Sequence, residues 1–316
     1  MITRRLLRIK ILQIVFSYRF TEGKTLAASE KELFHSIKRF YDLYHQMLSL
    51  IVEVKDFADE RIHIRKEKKA PTEEDLNPNT KFIENQFIQQ LEQNETLNNY
   101  LKANKLGWKM NRDLIKSLYN QILESQLYRD YMDNPERNYK SDRSFVIKVY
   151  NQIIANFEPL YQQLEEQSIY WNDEVDLVIS FILKTFKSIR KEDGAQAGLL
   201  PLYKKEEDLD FAKSLLRKVI MNFDAYDGLI GKHSQNWELD RIAFMDILIM
   251  KLAITEILEF SSIPTKVTLD EYIEIAKFYS TEKSNVFING VLDKIIGQLK
   301  EENRIHKQGR GLIGES

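Results

Sequence analysis

Between Trp237 and Phe260 the chain is apolar nearly all round when read as a helix, with Ile247, Leu248, Ile249, Met250, Leu252, Ala253, Ile254, Ile257 and Leu258 among its residues. A helix that is apolar nearly all round has no face to give to water, so it belongs in the centre of a helical bundle. The segment after it has marked boundaries. Pro264 lies in the intervening turn, Thr268 and Glu271 have capping-box spacing, and Val267 and Tyr272 have the spacing of a hydrophobic staple. Together these predict a helix starting at Leu269. Residues 3–20 put Leu7, Ile11, Ile14, Val15 and Tyr18 on one helical stripe, and 29–62 read as a further long amphipathic helix or pair. With only 11 Gly and 6 Pro to interrupt such patterns in 316 residues, the expected fold class is all-α.

Cysteine is absent, which removes disulfides, thiol nucleophiles and thiolate metal sites and suits a reducing compartment. The first twenty residues lack a signal-peptide cleavage site, and their apolar run is broken by Arg8 and Lys10. No run approaches the roughly 18 apolar residues of a membrane span. A soluble cytoplasmic protein with no membrane partner is expected. The net charge of −2 is not that of a protein that coats nucleic acid by bulk attraction, so any RNA site must be local. Charge is most asymmetric at the start, where Arg4, Arg5, Arg8, Lys10 and Arg19 occur without a single Asp or Glu before Thr21.

The densely charged stretch RKEKKAPTEEDLNPNT (65–80) reads as a linker or exposed loop, and KEDGAQAGLLPLYK (191–204) as a connection. A helical block follows from about Glu206 to Lys300, and the polar tail 301–316 is expected to be disordered. At a constant shift of 66 residues, Asp142, Phe145, Asn156, Phe157, Ser168 and Trp171 correspond to Asp208, Phe211, Asn222, Phe223, Ser234 and Trp237. A duplicated helical hairpin explains this, with Trp171 and Trp237 each expected at the start of a long buried helix; the alternative is coincidence between similar apolar spacings.

No catalytic or metal-ligating pattern emerges. His35, His45, His63, His233 and His306 share no ligand spacing, and no phosphate-binding glycine loop or nucleophile elbow occurs. No enzyme activity, metal or cofactor is expected. The arginines are the puzzle. Cations at a helix N-terminus oppose the macrodipole, which favours anions there by a few tenths to about 1 kcal/mol. On a helix Arg5 and Arg8 fall on one side, where they either present guanidinium groups to phosphates or form a solvated face. In either case their removal is expected to leave stability nearly unchanged.

RRLLRIKILQIVFSY (4–18) resembles the opening helix of the NusB transcription-antitermination family. The stronger likeness is in DRIAFMDILIMKLAITEIL, IPTKVTLDEYIEIAKFYS and SNVFINGVLDKI, within residues 206–296, with VFINGVLDKI the most specific piece. The resemblance implies a NusB-like pair of three-helix bundles, here enlarged by an inserted helical region. It divides the chain into an Arg-rich helix (1–24), an insertion (25–204), a C-terminal bundle (205–300) and the tail. It also implies binding of boxA-type single-stranded RNA together with NusE, a ribosomal protein of the small subunit, within the transcription elongation complex. The family's RNA contacts map to Arg4, Arg5 and Arg8 and to Lys283, Ser284, Asn285 and Phe287; its positions toward NusE map to Asp240 and Asp246. Phe287 reads either as a base-stacking platform or as core. Asn289 and Gly290 read as structural. The chain departs from the pattern in its length and in Lys283, which stands where the family often has a small or acidic residue. Two other readings are a NusB-like domain of a ribosomal RNA methyltransferase, which would need a cofactor-binding domain and a catalytic Cys, and a protein scaffold without RNA binding.

Overall fold

The computed structural model describes residues 1–234 and 242–314. In chain order the helices are α1 (Arg4–Phe20), α2 (Leu26–Lys66), α3 (Glu73–Leu76), α4 (Gln86–Glu92), α5 (Glu95–Asn104), α6 (Arg112–Glu124), α7 (Gln126–Asp133), α8 (Tyr139–Gln152), α9 (Glu158–Gln167), α10 (Val175–Ser188), α11 (Glu207–Met221), α12 (Asp227–His233), α13 (Phe244–Glu259), α14 (Thr265–Tyr279) and α15 (Ser284–Glu301). Among the described residues regular structure is helical throughout, apart from one isolated bridge between Ile2 and Tyr203. None of these helices is long and apolar enough to cross a membrane.

The chain divides into two compact units, residues 1–37 with 203–316, and residues 38–202. The second lies within the stretch expected as an insertion. In the first unit α13 is the central element: Leu248, Ile249, Met250, Leu252, Ala253, Ile254 and Ile257 are all buried, and α1, α11, α14 and α15 pack on it. Thr3 caps α1, its hydroxyl accepting the backbone N–H of Leu6 at 3.2 Å. The residues that mark the start of α14 in the sequence do not cap it. Pro264, with φ −60° and ψ 140°, sets the entry, and the helix begins at Thr265, a turn before Leu269. Thr268 instead donates its hydroxyl to Glu256 of α13 at 3.1 Å, and Glu271 is taken by Arg5 of α1.

Within the tail expected to be disordered, residues 307–312 are held in place. After α15, the Lys307 ammonium donates to the carbonyls of Ile257 and Phe260 at the end of α13, at 2.9 and 3.1 Å, where a cation suits the exposed carbonyls. The Gln308 N–H donates to the Ser261 carbonyl at 2.9 Å, and Gly309–Leu312 form a short 3₁₀ turn. Gly311 approaches Ser261 so closely that a Cβ there would lie 1.9 Å from its carbonyl oxygen.

In the second unit, α2 buries Leu43, Tyr44, Met47, Leu50, Ile51 and Val54. Buried aromatic side chains bring their polar atoms to α2 carbonyls: the Trp108 indole donates to Gln46 at 2.8 Å, Trp171 to Arg39 at 2.8 Å, and the Tyr150 hydroxyl to Met47 at 2.6 Å. At the 66-residue shift the order of elements is similar. The order α8, a 3₁₀ turn at Ile154–Asn156, α9 and α10 recurs as α11, a 3₁₀ turn at Asp224–Tyr226, α12 and α13. Asp142 and Asp208, Phe145 and Phe211, and Phe157 and Phe223 are buried in both. Trp171, however, sits in the turn before α10 and not at the start of a helix, so the expectation that favoured duplication over coincidence is not met there, and Trp237 lies outside the described residues.

Candidate nucleic-acid interface

The arginines of α1 do not form a solvated face, because each meets an acid from a distant helix. Arg4 Nε lies 3.1 Å from Asp208 Oδ1 of α11. Arg5 grips Glu271 of α14 with both Nε and Nη2, each at 2.9 Å. Arg8 is 3% exposed and faces Glu256 of α13, which is fully buried; Nε and Nη2 donate to its two oxygens at 2.8 and 2.6 Å. Glu256 also accepts the hydroxyls of Thr268 and Tyr272, each at 3.1 Å. These carboxylates account for cations at a helix start that the dipole disfavours.

Burial pulls the Arg8 guanidinium toward the neutral form, but the hydrogen bond and charge of Glu256 outweigh it and hold the group charged. Glu271 is held below the usual carboxylate range, chiefly by its hydrogen bonds from Arg5, against partial burial and with the charges of Arg8 and Arg5. Arg8 therefore departs from the sequence expectation. Its donors are consumed inside the protein, and it positions α1 against α13 and α14 rather than reaching a phosphate. Arg4 and Arg5, with side chains 35% and 50% exposed, remain on the surface. They border a groove of about 620 Å³ with Thr3, Ser262, Val267 and Arg310.

Lys283, Ser284, Asn285 and Phe287 gather elsewhere, at the start of α15. Asp246, in the first turn of α13, is only 5% exposed. Its Oδ2 accepts the Ser284 hydroxyl at 2.9 Å and its Oδ1 accepts that of Ser280. The Thr281 N–H donates back to Ser284 Oγ at 3.2 Å. This corrects two expectations: Asp246 does not face outward toward a partner, and Ser284 is buried rather than offered to RNA. Both fix the turn joining α14 to α15, because a buried carboxylate must be matched by donors. Asp240 lies outside the described residues. Lys283 is exposed, Asn285 is half-buried, and half-buried Phe287 lines a cavity of about 350 Å³ with Ile242 and Ala243. Asp246 and Glu256 are ten residues apart on α13, so the two clusters stand about 15 Å apart along its axis at 1.5 Å per residue.

One feature went unassigned in the sequence. Phe16 and Phe20 of α1 are 39% and 64% exposed and meet Phe244 edge-to-face at centroid distances of 5.9 and 4.9 Å, and one another in a tilted arrangement at 4.6 Å. They are spaced four apart and off the buried stripe, which is the available signal for a second apolar face on α1.

The NusB family model matches residues 186–297. A transcription antitermination protein NusB of Salinibacter ruber is 42% identical over 139 residues, 42% of this chain and 87% of that protein. One of Chloroherpeton thalassium is 41% identical over 134 residues, 40% of this chain and 61% of that protein. Among solved structures, T. maritima NusB is 28% identical with a TM-score of 0.29, covering 47% of this chain and 90% of that one.

Proposed function

The chain belongs to the NusB family, and from that premise we propose that it is a transcription antitermination factor that binds boxA-type single-stranded RNA jointly with NusE in the elongation complex. It acts by binding, without chemistry on the RNA. The observation that carries this reading is the groove bordered by Arg4 and Arg5, whose guanidinium groups are fixed by acids yet reach the surface. The guanidinium N–H groups that these acids leave over are held in place and suit phosphates, since little side-chain freedom is lost on contact. Lys283, Asn285 and Phe287 add a second contact zone about 15 Å away, which fits a strand laid along the bundle rather than a ligand in one pocket. Phe16, Phe20 and Phe244 offer an exposed aromatic anchor for NusE, the residue class that dominates protein interfaces.

The test is titration of labelled boxA-like RNA with and without NusE across a salt series. Tighter binding with NusE is expected, with a linear fall of log affinity against log salt. Phe20→Ser should weaken the gain from NusE and leave binding by the protein alone unchanged. Absence of RNA binding at low salt, with NusE present, overturns the reading.

A further inference from the structure

Resting on that reading, we propose that the C-terminal segment is part of the RNA groove, and that Arg310 supplies its attracting charge. Among residues lining the groove, three of the four arginines are already matched: Arg4 by Asp208, Arg5 by Glu271, and Arg8 by Glu256. Four cations against three carboxylates leave one positive charge in excess. Arg310 is exposed and no ion pair of it is found among the described residues, so over those residues the excess sits there. A compensated pair can orient a phosphate but draws it only weakly, whereas an unmatched guanidinium contributes a full charge and a planar two-pronged donor.

The position of Arg310 is built, not incidental. Lys307 fastens the segment to the last carbonyls of α13, Gln308 pairs with Ser261, and Gly311 allows an approach to Ser261 that any side chain would block. Arg310 lies between two of these anchors, with Ile313 continuing the groove wall. The segment thus turns an electrostatically balanced groove into one with net attraction for an RNA phosphate.

The experiment uses the full chain and labelled boxA-like RNA across a salt series. Arg310→Ala is expected to lower affinity roughly tenfold and to reduce the salt slope by about 0.7, the signature of one lost phosphate contact on a single strand. Arg310→Lys should retain the slope and lose part of the affinity. Gly311→Val keeps Arg310 in the chain but displaces the segment, and should reproduce the loss seen with Arg310→Ala. Arg304→Ala removes a cation outside the groove and should bind as the parent does. The inference is overturned if Arg310→Ala matches the parent in both affinity and slope, or if Arg304→Ala loses as much; either result leaves the RNA reading standing. If the parent protein binds no RNA at any salt, the reading and the inference fall together.

Discussion

Arg8 and Glu256, 248 positions apart in the chain, form a two-pronged ion pair at 2.8 and 2.6 Å with almost no access to water. Two charges taken out of water are stable only as a pair, so removing one strands the other. Arg8→Ala should therefore destabilise the fold by about 3–5 kcal/mol, while Arg8→Met with Glu256→Leu should recover only part of that loss, because the buried Thr268 and Tyr272 hydroxyls then lose their acceptor. Urea unfolding of Arg8→Ala and of the double variant beside the parent checks it. An Arg8→Ala protein as stable as the parent would mean that the pair is not closed to solvent.

Glu271 lies between Arg5 and Arg8 and cancels charge at the edge of the groove. Its removal should leave a guanidinium available to phosphate. Glu271→Gln is expected to tighten RNA binding and steepen the salt slope, while Arg5→Ala weakens binding and lowers the slope by about 0.7. Opposite signs from two partners of one ion pair separate a charge effect from damage to the fold. A Glu271→Gln protein that binds RNA more weakly at all salt concentrations contradicts this arrangement.

Asp246 gives a different signature from the one its sequence position suggests. Because its carboxylate accepts the Ser284 and Ser280 hydroxyls inside the turn before α15, Asp246→Ala should cost about 1–3 kcal/mol by leaving buried hydroxyls unmatched. RNA affinity should fall with it, since Lys283, Asn285 and Phe287 depend on that turn. Thermal melts and RNA titrations of Asp246→Ala beside Lys283→Ala distinguish the two, as Lys283 is exposed and its loss should lower affinity without lowering the melting temperature. A stable Asp246→Ala protein with defective NusE pairing would return the residue to a partner surface.

What could be read from the sequence was whatever is local. The centre of the bundle was legible because α13 has no polar face, and the helical class because breakers are scarce. The acids that meet Arg4, Arg5 and Arg8 were not, since Asp208, Glu256 and Glu271 belong to helices more than 200 positions away. Thr268 and Glu271 illustrate the same limit: their spacing is that of a capping box, but both side chains are drawn to other helices. The tail reads as polar and frayed by composition, while its order comes from Lys307 and Gly311 meeting the end of α13.

His45, fully buried on α2 in the second unit, gives a pH-dependent prediction. Its Nδ1–H donates to the Tyr41 carbonyl at 2.9 Å and its ring stacks on Tyr100 at 3.8 Å, while Nε2 has no hydrogen-bond partner among the described residues. Burial pushes the imidazole down to about 4, against the opposing influence of the Tyr41 carbonyl and the Asp42 charge. The unfolded chain takes up its proton near the usual 6.5, so between these values the unfolded state holds more protons and stability rises with pH. This contribution is complete above about pH 6.5 and is lost as pH falls toward 4, a difference of about 3 kcal/mol. His45→Gln removes the titration and should flatten the rise between these pH values, whatever its effect at neutral pH. Urea midpoints followed by tryptophan fluorescence in a Trp237→Phe background report on Trp108 and Trp171, both within the second unit. Equal pH slopes with and without His45 would show that the folded protein accepts the charged imidazole.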